Sequence, residues 1–167
     1  QPESSAASDV YKRQLKDSST KEKMLSEEST IKGGLMQDLP SLMGQVFPLG
    51  DNPNYEPEFK DSIAGIAKDK GLDVMEVMYD MLVQGDGKEL FYQPLGGYQT
   101  YDLEPHKKLL EHPNVLFGLS DGGAHCGVIA DAGMPTFIMT HWGRDRKRGD
   151  KHVSYTHLRA HETETNL

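Results

Sequence analysis

The chain has 167 residues, one cysteine and a formal charge of −8. That length suits one small domain or a piece of a larger one. The acidic balance argues against nucleic acid or an anionic membrane surface as a partner, no apolar run approaches the roughly 20 residues of a membrane span, and Cys126 alone supports neither an intrachain disulfide framework nor a cysteine-rich zinc site.

The two ends read differently from the middle. "DVYKRQ" (9–14) can be encoded by GAT GTG TAT AAG AGA CAG. The reverse complement of that string, read two bases out of frame, gives Val-Ser-Tyr-Thr-His and the start of a leucine codon, which is "VSYTHL" (153–158). The longer stretches "SSAASDVYKRQ" and "VSYTHLRAHET" resemble translated transposon-based sequencing adapters. Residues 1–14 and 153–167 are therefore expected to be non-native adapter-like tails, extended or loosely placed, flanking an insert over 15–152.

Within the insert, residues 15–38 are polar and suit a surface helix or a connecting segment. Pro48, Gly50, Pro53 and Pro57 make 45–62 a loop. Phe59, Ile63 and Ile66 lie at helical spacing. Asp73 and Glu76 form a D-x-x-E capping box, and behind them Val74, Met75, Val77, Met78, Met81 and Leu82 follow the stripe of a buried helix. "KELFYQPL" (88–95) reads as a short strand ending at Pro94 and a Gly96-Gly97 turn. "DLEPHKKLLEHP" (102–113) reads as a helix capped by Asp102 and stopped by Pro113. "VLFGL" (115–119) reads as an apolar strand, and a further helix starts near Pro135 and runs into the basic residues Arg144, Arg146, Lys147 and Arg148. Strands separated by helices imply parallel pairing with right-handed crossovers. The expected class is α/β, as a doubly wound sheet or as part of a (β/α)8 barrel.

In both architectures functional groups lie at the carboxyl ends of strands. Asp121 stands just past "VLFGL", in "SDGGAH" (120–125). Gly122 and Gly123 permit close backbone approach to a ligand, and His125 follows two residues later. An aspartate there can hold a cation, accept a proton or orient His125. It can equally cap a turn.

"FPLGDNPNYEP", "VLFGLSDGGAH" and "MPTFIMTHWGRDRKRG" together resemble the C-terminal part of N-acyl-D-amino-acid deacylases, D-aminoacylases of the metal-dependent amidohydrolase superfamily. The resemblance runs from about Phe47 to Gly149. It implies a partial (β/α)8 barrel comprising the last two strands and surrounding helices, with 88–95 as strand seven and 115–119 as strand eight. It also implies a zinc-dependent hydrolase that cleaves the amide of an N-acyl-D-amino acid or a related amide, with Asp121 as general acid/base and metal-adjacent carboxylate. Ser120, Gly122, Gly123, His125, Tyr98 and Arg144 become candidate substrate contacts, the last two as donors for a substrate carboxylate. The family's histidine ligands come from earlier strands, so the chain by itself is expected to bind no zinc and to be inactive. A small-molecule substrate and a cytoplasmic location complete these expectations. The alternative is a non-catalytic α/β module in which the glycine-rich loop holds a small anion beside the basic cluster 144–148.

Overall fold

The computed structural model describes residues 2–27, 39–84, 89–94, 96–115 and 131–151. The chain is mixed helix and strand, mostly helical, and divides into two compact units, Gln1–Asp102 and Leu103–Leu167. The sequence alone places no boundary inside 15–152.

The first unit begins with helix α1 (Pro2–Leu15) and helix α2 (Ser18–Ser26). The tail expected to be extended is helical here. No Gly or Pro interrupts 3–15, and Ala, Lys, Arg, Gln and Leu are good helix formers. Its apolar side chains Val10 and Tyr11 remain exposed. Asp17 caps α2, accepting from the Thr20 amide at 3.1 Å. Hydrogen bonds from Ser19 and then Thr20 hold the Asp17 carboxyl below its usual range.

Helix α3 (Leu39–Leu42) passes through the 3-10 turn Met43–Gln45 into strand β1 (Phe47–Pro48). Strand β2 (Phe91–Tyr92) pairs with it antiparallel, Phe47 opposite Tyr92 and Pro48 opposite Phe91. The Leu49 amide extends the ribbon to the Leu90 carbonyl at 2.9 Å. This corrects one reading of the sequence, since 47–48 is strand rather than loop, and it pairs 91–92 on one side with an antiparallel neighbour. Proline is compatible with a two-strand ribbon because one edge of each strand is free of ladder bonds. Phe47 is buried and meets Tyr98 and Tyr101 edge-on at 6.2 and 6.4 Å, so aromatic packing holds β1 in place. The expected strand 115–119 lies outside the described residues except for the exposed Val115.

Helix α4 (Ile63–Lys70) follows the 3-10 turn Phe59–Asp61. Gly71, at φ 66°, ends it in the left-handed conformation that glycine adopts without a Cβ clash. Helix α5 (Val74–Val83) is capped by Asp73, which accepts from the Met75 and Glu76 amides at 2.8 and 3.2 Å. Lys21 of α2 reaches Glu76 at 2.9 Å and Asp80 at 2.7 Å, tying α2 to α5. The core is Met43, Val46, Ile63, Ala67 and Val77, with Met75, Met78 and Met81 half-buried against it. The methionine stripe read from the sequence is therefore core packing.

The second unit contains helix α6 (Glu104–Leu110) and helix α7 (Met134–Phe137), which continues as a π-helical segment, Ile138–Asp145. Asp102 is not the cap of α6. Leu103 occupies that position, because Pro105, in the first turn, sets the start of the helix.

Two expectations follow. A Cβ on Gly65 would collide with the Phe59 carbonyl oxygen and lie 2.7 Å from Lys60 Cα. Both are backbone, so Gly65→Ala should cost at least about 1–3 kcal/mol, read as a lower urea midpoint. Removing 1–14 and 153–167 should leave that midpoint unchanged, since the described residues 9–14 bury no apolar side chain; a clear fall would show that the tails are part of the fold.

Candidate functional site

Asp121, Ser120, Gly122, Gly123, His125 and Cys126 lie outside the described residues. Tyr98 and Arg144 are described, and their surroundings differ sharply.

Tyr98 is 1% exposed. Its hydroxyl donates to the Pro57 carbonyl at 2.9 Å, and its ring packs edge-on against Phe47 and Tyr101. It joins the 54–62 turn to the aromatic cluster, a packing position rather than a solvent-facing donor. Tyr101 beside it adopts φ 57°, a strained conformation for a bulky residue. Its rings' contacts with Phe47, Phe59 and Tyr98, at 6.4, 5.6 and 6.3 Å, compensate that strain.

Arg144 is exposed and forks onto its neighbour Asp145, with Nε and a terminal nitrogen at 2.6 and 2.7 Å from the two carboxylate oxygens. The pair raises the Arg144 pKa and lowers that of Asp145, chiefly through these hydrogen bonds. Two residues on, Arg146 is buried. Its guanidinium lies 4.6 Å over the Trp142 ring, donates to Glu104 Oε1 at 2.7 Å and donates to the Asp150 carbonyl at 2.9 Å. Lys107 of α6 meets Asp150 at 3.1 Å, a hydrogen bond that raises the Lys107 pKa. The basic cluster expected at 144–148 is thus divided: Arg144 is neutralised by Asp145, and Arg146 is structural. Charge counting along the sequence cannot find this, because Glu104 lies 42 residues away.

His141 is buried, stacked on Phe137 at 4.7 Å and edge-on to Trp142 at 5.9 Å. His112 is exposed, and its Nδ1 accepts from the Asn114 amide at 3.2 Å, which closes the turn after α6. In the first unit a recess of about 320 Å³ is lined by Leu15, Lys16, Lys21, Tyr79, Asp80, Val83 and Gln84. Of its two lysines, Lys21 is committed to Glu76 and Asp80, and none of the candidate site residues lines it.

Among the described residues no group of three or more His, Cys, Asp or Glu is placed to hold a metal ion, and no helix is long and apolar enough to cross a membrane.

These environments give opposite expectations for two substitutions. Tyr98→Phe should destabilise by about 1 kcal/mol, because it leaves the Pro57 carbonyl without its donor in the interior. Arg144→Ala should leave the thermal midpoint unchanged, since the pair it breaks is exposed. Equal effects in a parallel melt would contradict the burial difference. Comparison with protein-family models, curated proteins and solved structures finds no match for this chain.

Proposed function

We propose that residues 15–152 are the C-terminal part of a metal-dependent amidohydrolase barrel that cleaves the amide of an N-acyl-D-amino acid or a related amide. The observation that carries this reading is the combination in one chain of "GLSDGGAH" (118–125), Asp131-Ala132 with Pro135-Thr136, and "THWGRDR" (140–146). In the alternative, an anion-binding module, the cations would come from 144–148, where Arg144 and Arg146 contact carboxylates and Lys147 is exposed.

In this reading Asp121 is the proton carrier. Its carboxylate takes a proton from the attacking water and returns it to the departing amine nitrogen, so one group serves as base and then as acid. Zinc would supply Lewis acidity toward the carbonyl and the water, and its ligands are assigned to no described residue. Of the two donors named for a substrate carboxylate, exposed Arg144 keeps that role in the proposal, in exchange for its contact with Asp145. Tyr98, with its hydroxyl on the Pro57 carbonyl, does not.

Asp121→Asn in the complete barrel is the discriminating variant. The amide is nearly isosteric and also makes Asx turns, so a turn-forming aspartate would tolerate it. It cannot accept a proton at neutral pH. Loss of a general acid–base typically costs roughly 10²–10⁴-fold, so turnover should fall by at least that range while the thermal melt is unchanged. Near-normal turnover with an unchanged melt would make Asp121 a loop residue and remove the mechanism.

A further inference from the structure

The segment Ile138–Asp145 holds a conformation that its own sequence does not demand. π-Helix is rare and occurs mostly as single-turn insertions, frequently at functional sites. Here it spans eight residues. The entry is ordinary α-helix: Phe137 and Ile138 sit at φ/ψ of −59°/−40° and −59°/−47°. No proline follows Pro135 to forbid an α-helix through 145. The wide register is closed at the other end, where the Arg146 amide donates to the His141 carbonyl at 2.7 Å, an i to i−5 bond.

Arg146 is also where the tertiary contacts converge. Its guanidinium is clamped between the Trp142 face, Glu104 Oε1 and the Asp150 carbonyl. The Arg146 side chain is 1% exposed, but that of Glu104 is 47% exposed. The counter-charge of the clamp is therefore one that solvent reaches, and it sits on α6, outside the segment it controls.

We propose that the Glu104–Arg146 pair is a conformational latch. With the pair closed, Arg146 is seated and Ile138–Asp145 is held π-helical with His141 and Trp142 buried. With Glu104 withdrawn, the guanidinium leaves its site, the closing bond to His141 is lost, and the segment rewinds to the α register that α7 already sets. That rewinding rotates Trp142 and Arg144 to new faces of the helix. Lys107, pairing with Asp150 at 3.1 Å, holds the 146–150 strap against α6 and supports the closed state. The latch stands apart from the role proposed for Asp121.

The chain contains a single tryptophan, Trp142, 4% exposed, so its fluorescence reports the latch without interference. The test compares wild type with Glu104→Gln and Arg146→Lys in the full chain. Glutamine keeps the shape of glutamate and removes its charge; lysine keeps the charge of arginine and removes the planar fork that stacks on the ring. Both variants should shift Trp142 emission to longer wavelength and raise its quenching by acrylamide, while the far-ultraviolet helical signal and a cooperative melt are retained. Wild-type emission and quenching in both would overturn the proposal. So would loss of the helical signal together with the shift, which would make the pair a fold-wide structural contact rather than a latch.

Discussion

Ser62 is fully buried at the start of α4, and the first unit is assembled around it. Its hydroxyl donates to the Phe59 carbonyl at 2.7 Å and accepts from the Gly65 amide at 3.0 Å. The next residue's amide, Ile63 N–H, donates to the Val46 carbonyl at 2.9 Å. Ser62 thus ends the 3-10 turn and begins α4, and the Ile63 amide beside it fixes the chain leading into β1. A buried hydroxyl with both its donor and acceptor capacity used carries no desolvation debt. The close backbone approach it enforces is why residue 65 must be glycine, and why Ile63, wholly buried, lands in the centre of the core.

The second unit solves a different problem, the burial of a positive charge. A desolvated guanidinium is tolerable only when its hydrogen-bonding capacity is met and a counter-charge is close. Glu104, the Asp150 carbonyl and the Trp142 face meet those needs from three directions. The consequence is that α6, the π-helical segment and the 146–150 strap are tied together through one side chain. Gly149 fits this arrangement: at φ 77° it takes a left-handed turn, and a Cβ there would crowd the Glu104 carboxylate and the Arg146 guanidinium.

The proposed chemistry rests on a sequence pattern centred on Asp121, while the described structure speaks to its flanks. Those flanks separate residues that look equivalent in the sequence. Tyr98 and Arg144 were paired as carboxylate donors by residue type; one is locked into an aromatic cluster and the other is exposed and ion-paired.

The sequence by itself determined the local features. Asp73 ahead of an apolar stripe specified α5 and its cap, because capping and 3.6-residue periodicity act within one or two turns. Pro113 bounded α6 for a similarly local reason. Glu76, three residues after Asp73, has the spacing of a capping box, yet its carboxylate goes to Lys21, a partner 55 residues away. The strand at 47–48 was hidden by the prolines around it, since pairing depends on Phe91 and Tyr92 and on aromatic contacts distant in sequence. Most clearly, Arg144 and Arg146 are indistinguishable in "GRDRKRG". Only the tertiary structure decides that one faces water and the other lies beneath Trp142, because the free energy of burying a charge is set by the groups that surround it and not by its neighbours along the chain.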